Sequence, residues 1–235
     1  MLAQLFRYSL FALVLALGVL PRPLLAACEI PTGALAPPLA EGGQTIVDVG
    51  LNVLDISQVD DLDQSFVADI FITAWWQDPR LAAVAINNGA PCVFGINEVW
   101  HPGLQFLNRR GGTNDLAEVV TAHGDGKVTY AQRIYGEVAS PLDLRRYPYD
   151  QQVLPVVVGS TLEQDMVRVE INPERSGASP NFTVAGWQVL EEKIGHRNWP
   201  MVSLASGERE EFPVAAYEFT VERTLAITCG RWLCH

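Results

Sequence analysis

The run Ser140-Pro141-Leu142-Asp143-Leu144-Arg145-Arg146-Tyr147-Pro148-Tyr149-Asp150-Gln151-Gln152 holds the side chains of this sequence best suited to recognition chemistry. Pro148 fixes its own φ and drives Tyr147 into an extended conformation. The two tyrosines then give an exposed loop a hydrophobic anchor, and Asp150 sets a charge at its tip. An isolated aspartate in a turn usually does no more than accept a backbone hydrogen bond. Asp60, Asp61 and Asp63 form a second acidic group, but the loop lacks the glycine and terminal glutamate of a calcium-binding EF-hand. No G-x-S-x-G elbow, H-E-x-x-H pair or phosphate-cradling glycine loop occurs, and His101, His123 and His196 are scattered. Nothing recommends an enzyme, a metal centre or a cofactor.

Composition narrows the class of partner. The formal charge is -11, which disfavours nucleic acid and anionic lipid surfaces. Residues 1–27 read as a secretory signal: Arg7 precedes an apolar run from Leu10 to Leu20, and Ala26 and Ala27 follow as small residues. The run is shorter than the roughly 20 residues a membrane span needs. The mature chain is expected to begin at Cys28 and to be exported. Cys28, Cys92, Cys229 and Cys234 have neither zinc-ribbon nor C-x-x-C spacing.

The elements that must position these residues are strands. Val47, Val49, Leu51 and Val53 recur at every second position within Thr45 to Ile56, as do Phe66, Ala68, Ile70, Ile72 and Trp76 farther on. His123-Gly124-Asp125-Gly126 predicts a tight two-residue hairpin turn, after which Val128, Tyr130, Gln132, Ile134 and Val138 share a face. Val153–Val158, Met166–Ile171, Gly186–Ile194 and Phe212–Arg223 read as further strands. Asn172–Pro180 and Gly195–Glu211 read as loops, and only Cys28–Leu39 offers room for a short helix. The pattern is that of an all-β, antiparallel sandwich. Trp76, Trp100 and Trp187 read as core residues, since a buried indole supplies a large apolar area.

Five motifs in order resemble those of pentameric ligand-gated ion channels. Ser140–Gln152 resembles their signature loop, with Ser140 and Leu154 where the animal receptors carry cysteines, and so matches the bacterial type. Trp76-Gln77-Asp78-Pro79-Arg80-Leu81 resembles the Trp-x-Asp-x-x-Leu end of the second strand. Trp100-His101-Pro102-Gly103 with Asn108 resembles the first principal-face binding loop, Gly103 replacing the usual acid. Phe182–Trp187 resembles the Gly-Trp start of the ninth strand, and Glu222-Arg223 the arginine before the first membrane helix.

The resemblance implies an immunoglobulin-like antiparallel β-sandwich of about ten strands over residues 28–223. It would assemble as a homopentamer, bind a small molecule or protons between neighbours, and pass the signal to a pore. It places ligand-binding positions at Phe71 and Thr73 on the complementary face and at Phe106, Leu107, Tyr130, Thr161 and Trp199 elsewhere. Val158-Gly159-Ser160 is followed by Thr161, not by the aromatic that holds an ammonium group in neurotransmitter receptors. Acetylcholine-like ligands are thus disfavoured. Asp61, Tyr149, Asp150 and Arg223 would form the coupling group at the base. A Cys28–Cys92 disulfide follows from the apical position of both segments in the resembled fold; Leu25-Ala26-Ala27-Cys28 also resembles a lipobox, which would lipidate Cys28.

The family continues into membrane helices, whereas residues 224–235 are expected to be a truncated or aberrant tail in place of the first of them. The expected function is ligand recognition at the periplasmic or extracellular face of a membrane, coupled to a pore outside this sequence. A secreted small-molecule-binding sandwich without a channel is the alternative. A calcium-dependent carbohydrate-binding or hydrolytic sandwich is a weaker one.

Overall fold

The computed structural model describes residues 28–38, 43–85, 90–162, 165–202 and 207–224. The signal-like segment, the tail beyond Thr224, and Cys229 and Cys234 lie outside them. Twelve strands occur among the described residues: β1 Thr45–Asp60, β2 Ser65–Gln77, β3 Cys92–Gly95, β4 Leu104–Phe106, β5 Thr113–Asn114, β6 Val119–Ala122, β7 Lys127–Ala139, β8 Gln151–Ser160, β9 Val167–Ile171, β10 Gly177–Ala178, β11 Trp187–Val202 and β12 Arg209–Arg223.

They form two layers. One sheet runs β10-β1-β2-β7-β6-β3, with β9 also on β1 and β5 on β7; the other runs β11-β12-β8-β4. The period-two residues meet between the layers. Val47, Val49, Leu51, Val53, Phe66, Ala68, Ile70 and Ile72 pack against Leu154, Val156, Val158, Ala215, Tyr217, Phe219 and Val221. Each large apolar side chain taken fully from water contributes about 1.5–3 kcal/mol, so this shared core holds the sheets face to face. Trp76, Trp100 and Trp187 are all buried; Trp76 and Trp100 meet edge to face at 5.8 Å.

The sandwich is all-β in class, but its sheets are mixed: β9 and β10 both run parallel to β1. Four local expectations need correction. In the segment read as room for a short helix, Cys28–Leu39, the described residues 28–38 hold turns and no helix; the helix α1 is Pro79–Ala85 instead. Asp78, fully buried, caps it by accepting from the Arg80 N–H, and binds the Arg80 guanidinium at 2.7–2.8 Å. Arg80 in turn donates to Gly33 O and Ala36 O, which fixes the N-terminal segment at this end. The supposed loop Gly195–Glu211 is largely strand, because β11 and β12 stay paired from Trp187↔Arg223 to Val202↔Arg209. Within Asn172–Pro180 lie a 3-10 turn, Pro173–Arg175, and β10. The His123 turn holds three residues: Gly126 N–H donates to His123 O, His123 N–H donates to Lys127 O, and Gly126 alone there takes a positive φ, 80°.

The sheets have two functional ends. Cys28 is joined to Cys92 with Cα atoms 5.8 Å apart, near α1 and the β6–β7 turn. Arg223, the last residue of β12, stands at the opposite end with the β1–β2 and β7–β8 connections.

Candidate functional site

Three segments distant in sequence converge at the base. Arg223 reaches there because β12 pairs with β8, bringing Glu222 opposite Gln151 and the Arg223 N–H to Asp150 O at 3.2 Å. Its Nε donates to Asp150 Oδ1 at 2.8 Å, and Nη2 donates to Asp150 Oδ2 at 3.1 Å and to Asp61 Oδ1 at 2.9 Å. The guanidinium also stacks on Trp187 at 4.2 Å and on Tyr147 at 4.8 Å. Asp150 is 1% exposed, so it is not a charge at a loop tip. Gln152 Nε2 donates to it at 2.6 Å. The bonds from Arg223 hold the Asp150 carboxyl below the ordinary carboxylate range against the opposing effect of burial, and the two acids raise the guanidinium's own pKa.

The loop around this cluster keeps the extended backbone expected at Tyr147 but differs from its sequence reading in where the tyrosine side chains lie. Tyr147 has φ -52° and ψ 134°, and the Tyr147–Pro148 peptide is cis. Tyr147 and Tyr149 are 61% and 74% exposed and anchor nothing in the core. Tyr147 is the one stacked on Arg223, while Tyr149 is the more exposed of the two. Asp143 caps the 3-10 turn Leu144–Arg146, and hydrogen bonds from the Arg145 side chain and backbone lower its pKa to about 2. Where a disulfide would close the loop, Ser140 Oγ donates to Val153 O at 3.0 Å.

Asp60 Oδ1 accepts from Leu62 and Asp63 N–H at 2.8 and 3.0 Å, a local turn. Among the described residues no group of three His, Cys, Asp or Glu is placed to hold a metal ion. Gln64, which no sequence signal singled out, links the two loops: its Nε2 donates to Asp61 O and its Oε1 accepts from Leu142 N–H. Its backbone O accepts from Ser140 N–H. Gln64 has a φ of 51°, the left-handed turn that aims both its backbone and its amide at the neighbouring loop.

The proposed ligand positions fall in separate places. A cavity of about 680 Å³ lies between β9 and the β11–β12 hairpin; Leu107, Thr161, Phe212 and Val214 supply walls, Arg168, Glu170, Asp165 and Glu210 supply charge, and His196 supplies an imidazole. Phe106, Tyr130 and Thr161 line a second cavity of about 610 Å³ together with His101 and Gln132. There burial pushes His101 down and the Tyr130 hydroxyl up, and His101 Nδ1 accepts from Gly103 N–H at 3.2 Å. Trp199 borders neither cavity; it lies half-buried with the Arg197 guanidinium 5.7 Å from its ring. Phe71 and Thr73 are on the face of β2 turned from the core, opposite Arg133 and Ala131. Trp75, on that same face, went unnoticed in the sequence: Arg175 and Lys127 lie over it at 4.6 and 5.8 Å.

A family model described as the neurotransmitter-gated ion-channel ligand binding domain matches residues 33–225. A proton-gated ion channel of Gloeobacter violaceus is 26% identical over 155 residues, 65% of this chain and 43% of that protein. Gamma-aminobutyric acid receptor subunit beta-4 of Gallus gallus is 28% identical over 120 residues, 47% of this chain and 24% of the subunit. Subunit theta of Mus musculus is 28% identical over 124 residues, 51% of this chain and 19% of the subunit. The chain therefore spans less than half the length of these relatives.

Proposed function

Because the chain belongs to the neurotransmitter-gated ion-channel ligand-binding domain family, we propose that it recognises a small ligand at the interfaces of a homopentamer and couples binding to a pore. The family consists of channels, not enzymes. The observation that carries the reading is the basal cluster: Arg223, at the end of β12, is bonded at once to the β1–β2 loop through Asp61 and to the β7–β8 loop through Asp150. A displacement of the β11–β12 hairpin then moves both basal loops, since β12 is continuous from hairpin to base. Among the described residues no helix is long and apolar enough to cross a membrane, so the pore is supplied by residues outside them.

Ligand recognition belongs to the cavity between β9 and β11, completed by Phe71 and Thr73 of a neighbouring copy. The exported domain would face the periplasm or the cell exterior. The ligand is a small molecule or a proton; Phe212, the one Phe, Tyr or Trp that lines the cavity among this chain's described residues, and the threonine at Thr161 argue against a quaternary ammonium held in an aromatic cage. The test is a chimera of residues 28–223 with a family pore, challenged in patch-clamp recording with small amines, carboxylates and acid. Currents evoked by one of these, lost when Phe71→Ala and Phe212→Ala are placed in the same or in separate co-expressed subunits, are the expected result. A ligand bound tightly by an isolated monomer and insensitive to Phe71→Ala overturns the interface reading.

A further inference from the structure

We propose that His196 and Glu170 form a proton-operated latch that closes the β11–β12 hairpin over the adjoining cavity in acid and releases it at neutral pH. β11 is the edge of its sheet and pairs with β12 alone. β9 is bound on one side to β1, in the other sheet. The gap between these strands is the open flank of the sandwich, and the cavity occupies it. His196 points into this gap, on the face of β11 opposite Ala215, whose side chain is in the core. Its Nε2 lies 3.2 Å from Val169 O and 3.3 Å from Glu170 Oε2, so one imidazole bridges from the hairpin to both backbone and side chain of the facing strand.

Both partners are acceptors, which requires a proton on Nε2. In the neutral ring that proton serves a hydrogen bond to a carbonyl; the second proton adds a full charge beside a carboxylate. Histidine is the side chain whose charge changes near neutral pH. Glu170, Asp165 and Glu210 line the cavity with His196, and among the described lining residues Arg168 is the one arginine or lysine, itself ion-paired with Glu170 Oε1. Along β11 the same face carries uncharged Ile194 and Asn198, with Glu192 beyond, bonded to the Tyr217 hydroxyl. Lys193 and Arg197 are on the other face, paired with Glu218. Leu107, Gly159, Ser160 and Thr161 close the remaining wall without charge.

The ring and the carboxylate are 40% and 27% exposed, so water screens the pair and its effect is modest. A pair of this exposure changes the closed-to-open ratio by roughly two- to five-fold. The latch is a property of a single domain; only its consequence, control of ligand access, rests on the function proposed for the cavity.

The test uses the exported chain without ligand. Hydrogen-exchange protection factors of β11 amides from Ile194 to Val202, corrected for intrinsic rates, are measured from about pH 5.5 to 8 beside the His196 ring proton resonance. Protection is expected to rise about two- to five-fold toward acid, with the midpoint of the His196 titration. His196→Gln and Glu170→Gln are each expected to flatten the rise, whereas His123→Gln keeps it. A flat profile in the parent, or a rise that persists in both variants, overturns the latch; if neither variant folds, a parent midpoint that departs from the His196 titration does so. No small-molecule ligand enters the measurement and the pair lies within one domain, so failure of the interface reading leaves this result standing.

Discussion

Replacing Arg223 by alanine removes three charge-assisted hydrogen bonds, two to a buried carboxylate and one to a partly exposed one. Asp150, 1% exposed, keeps only Gln152 as a side-chain donor. Stripping one partner from a buried ion pair costs about 3–5 kcal/mol, while a surface pair such as the Asp61 contact is worth less than about 1. The Arg223 and Asp61 side chains are 17% and 28% exposed, so water reaches the edge of the cluster and about 3 kcal/mol is the expected loss. For a domain of this size that lowers Tm by roughly 6–12 °C. The pH dependence follows from the sign of each shift. In the parent, Asp150 is held below its unfolded pKa, so its stabilisation is complete above about pH 4 and is lost as pH falls below that. In Arg223→Ala, burial and the Asp61 charge push Asp150 above its unfolded value. The penalty is then full near about pH 7 and fades as pH falls through the raised pKa, narrowing the gap to the parent below about pH 5. Urea unfolding followed by tryptophan fluorescence measures both, since Trp187 stacks on the lost guanidinium. Adding Asp61→Asn and Asp150→Asn should recover at least half the loss. In the pore chimera the single variant is expected to reach the surface and gate poorly. A loss below about 0.5 kcal/mol, or a triple variant no better than the single, refutes the account of the cluster.

Asn108 is buried and joins the two sheets: its amide donates to Ala139 O and Pro155 O, and its Oδ1 accepts from Val157 N–H. Asn108→Leu leaves these groups unpaired and should cost about 2–4 kcal/mol in urea unfolding, whatever its effect on ligand. Gly136 on β7 faces the Gly111–Gly112 turn so closely that an added Cβ would lie 2.2 Å from Gly111 O. Gly136→Ala should destabilise the domain by about 1–3 kcal/mol in the same assay, whereas Gly124→Ala, with open space around it, should change little.

The sequence by itself determined the layered β architecture, because a strand with one buried face must alternate, and β2 and β7 do so over most of their length, as β1 does apart from Gly50 and its two bulges. It also singled out Asp61, Asp150 and Arg223 by type and motif before their contacts were visible. The hairpin Trp187–Val202 with Arg209–Arg223 was only partly legible. Most of β11 is solvated on both faces, so backbone pairing holds it and no hydrophobic period marks it. The helix at Pro79 was overlooked because seven residues carry too little periodicity; its cap, Asp78, is recognised once Arg80 ties it to Gly33 and Ala36. Only the tertiary structure decided that Asp150 is buried, that Tyr147 and not Tyr149 faces the guanidinium, and that His196 meets Glu170 across the gap. Each depends on where a strand remote in sequence lies, and local pattern encodes the face of a strand, not the identity of its neighbour across the sandwich.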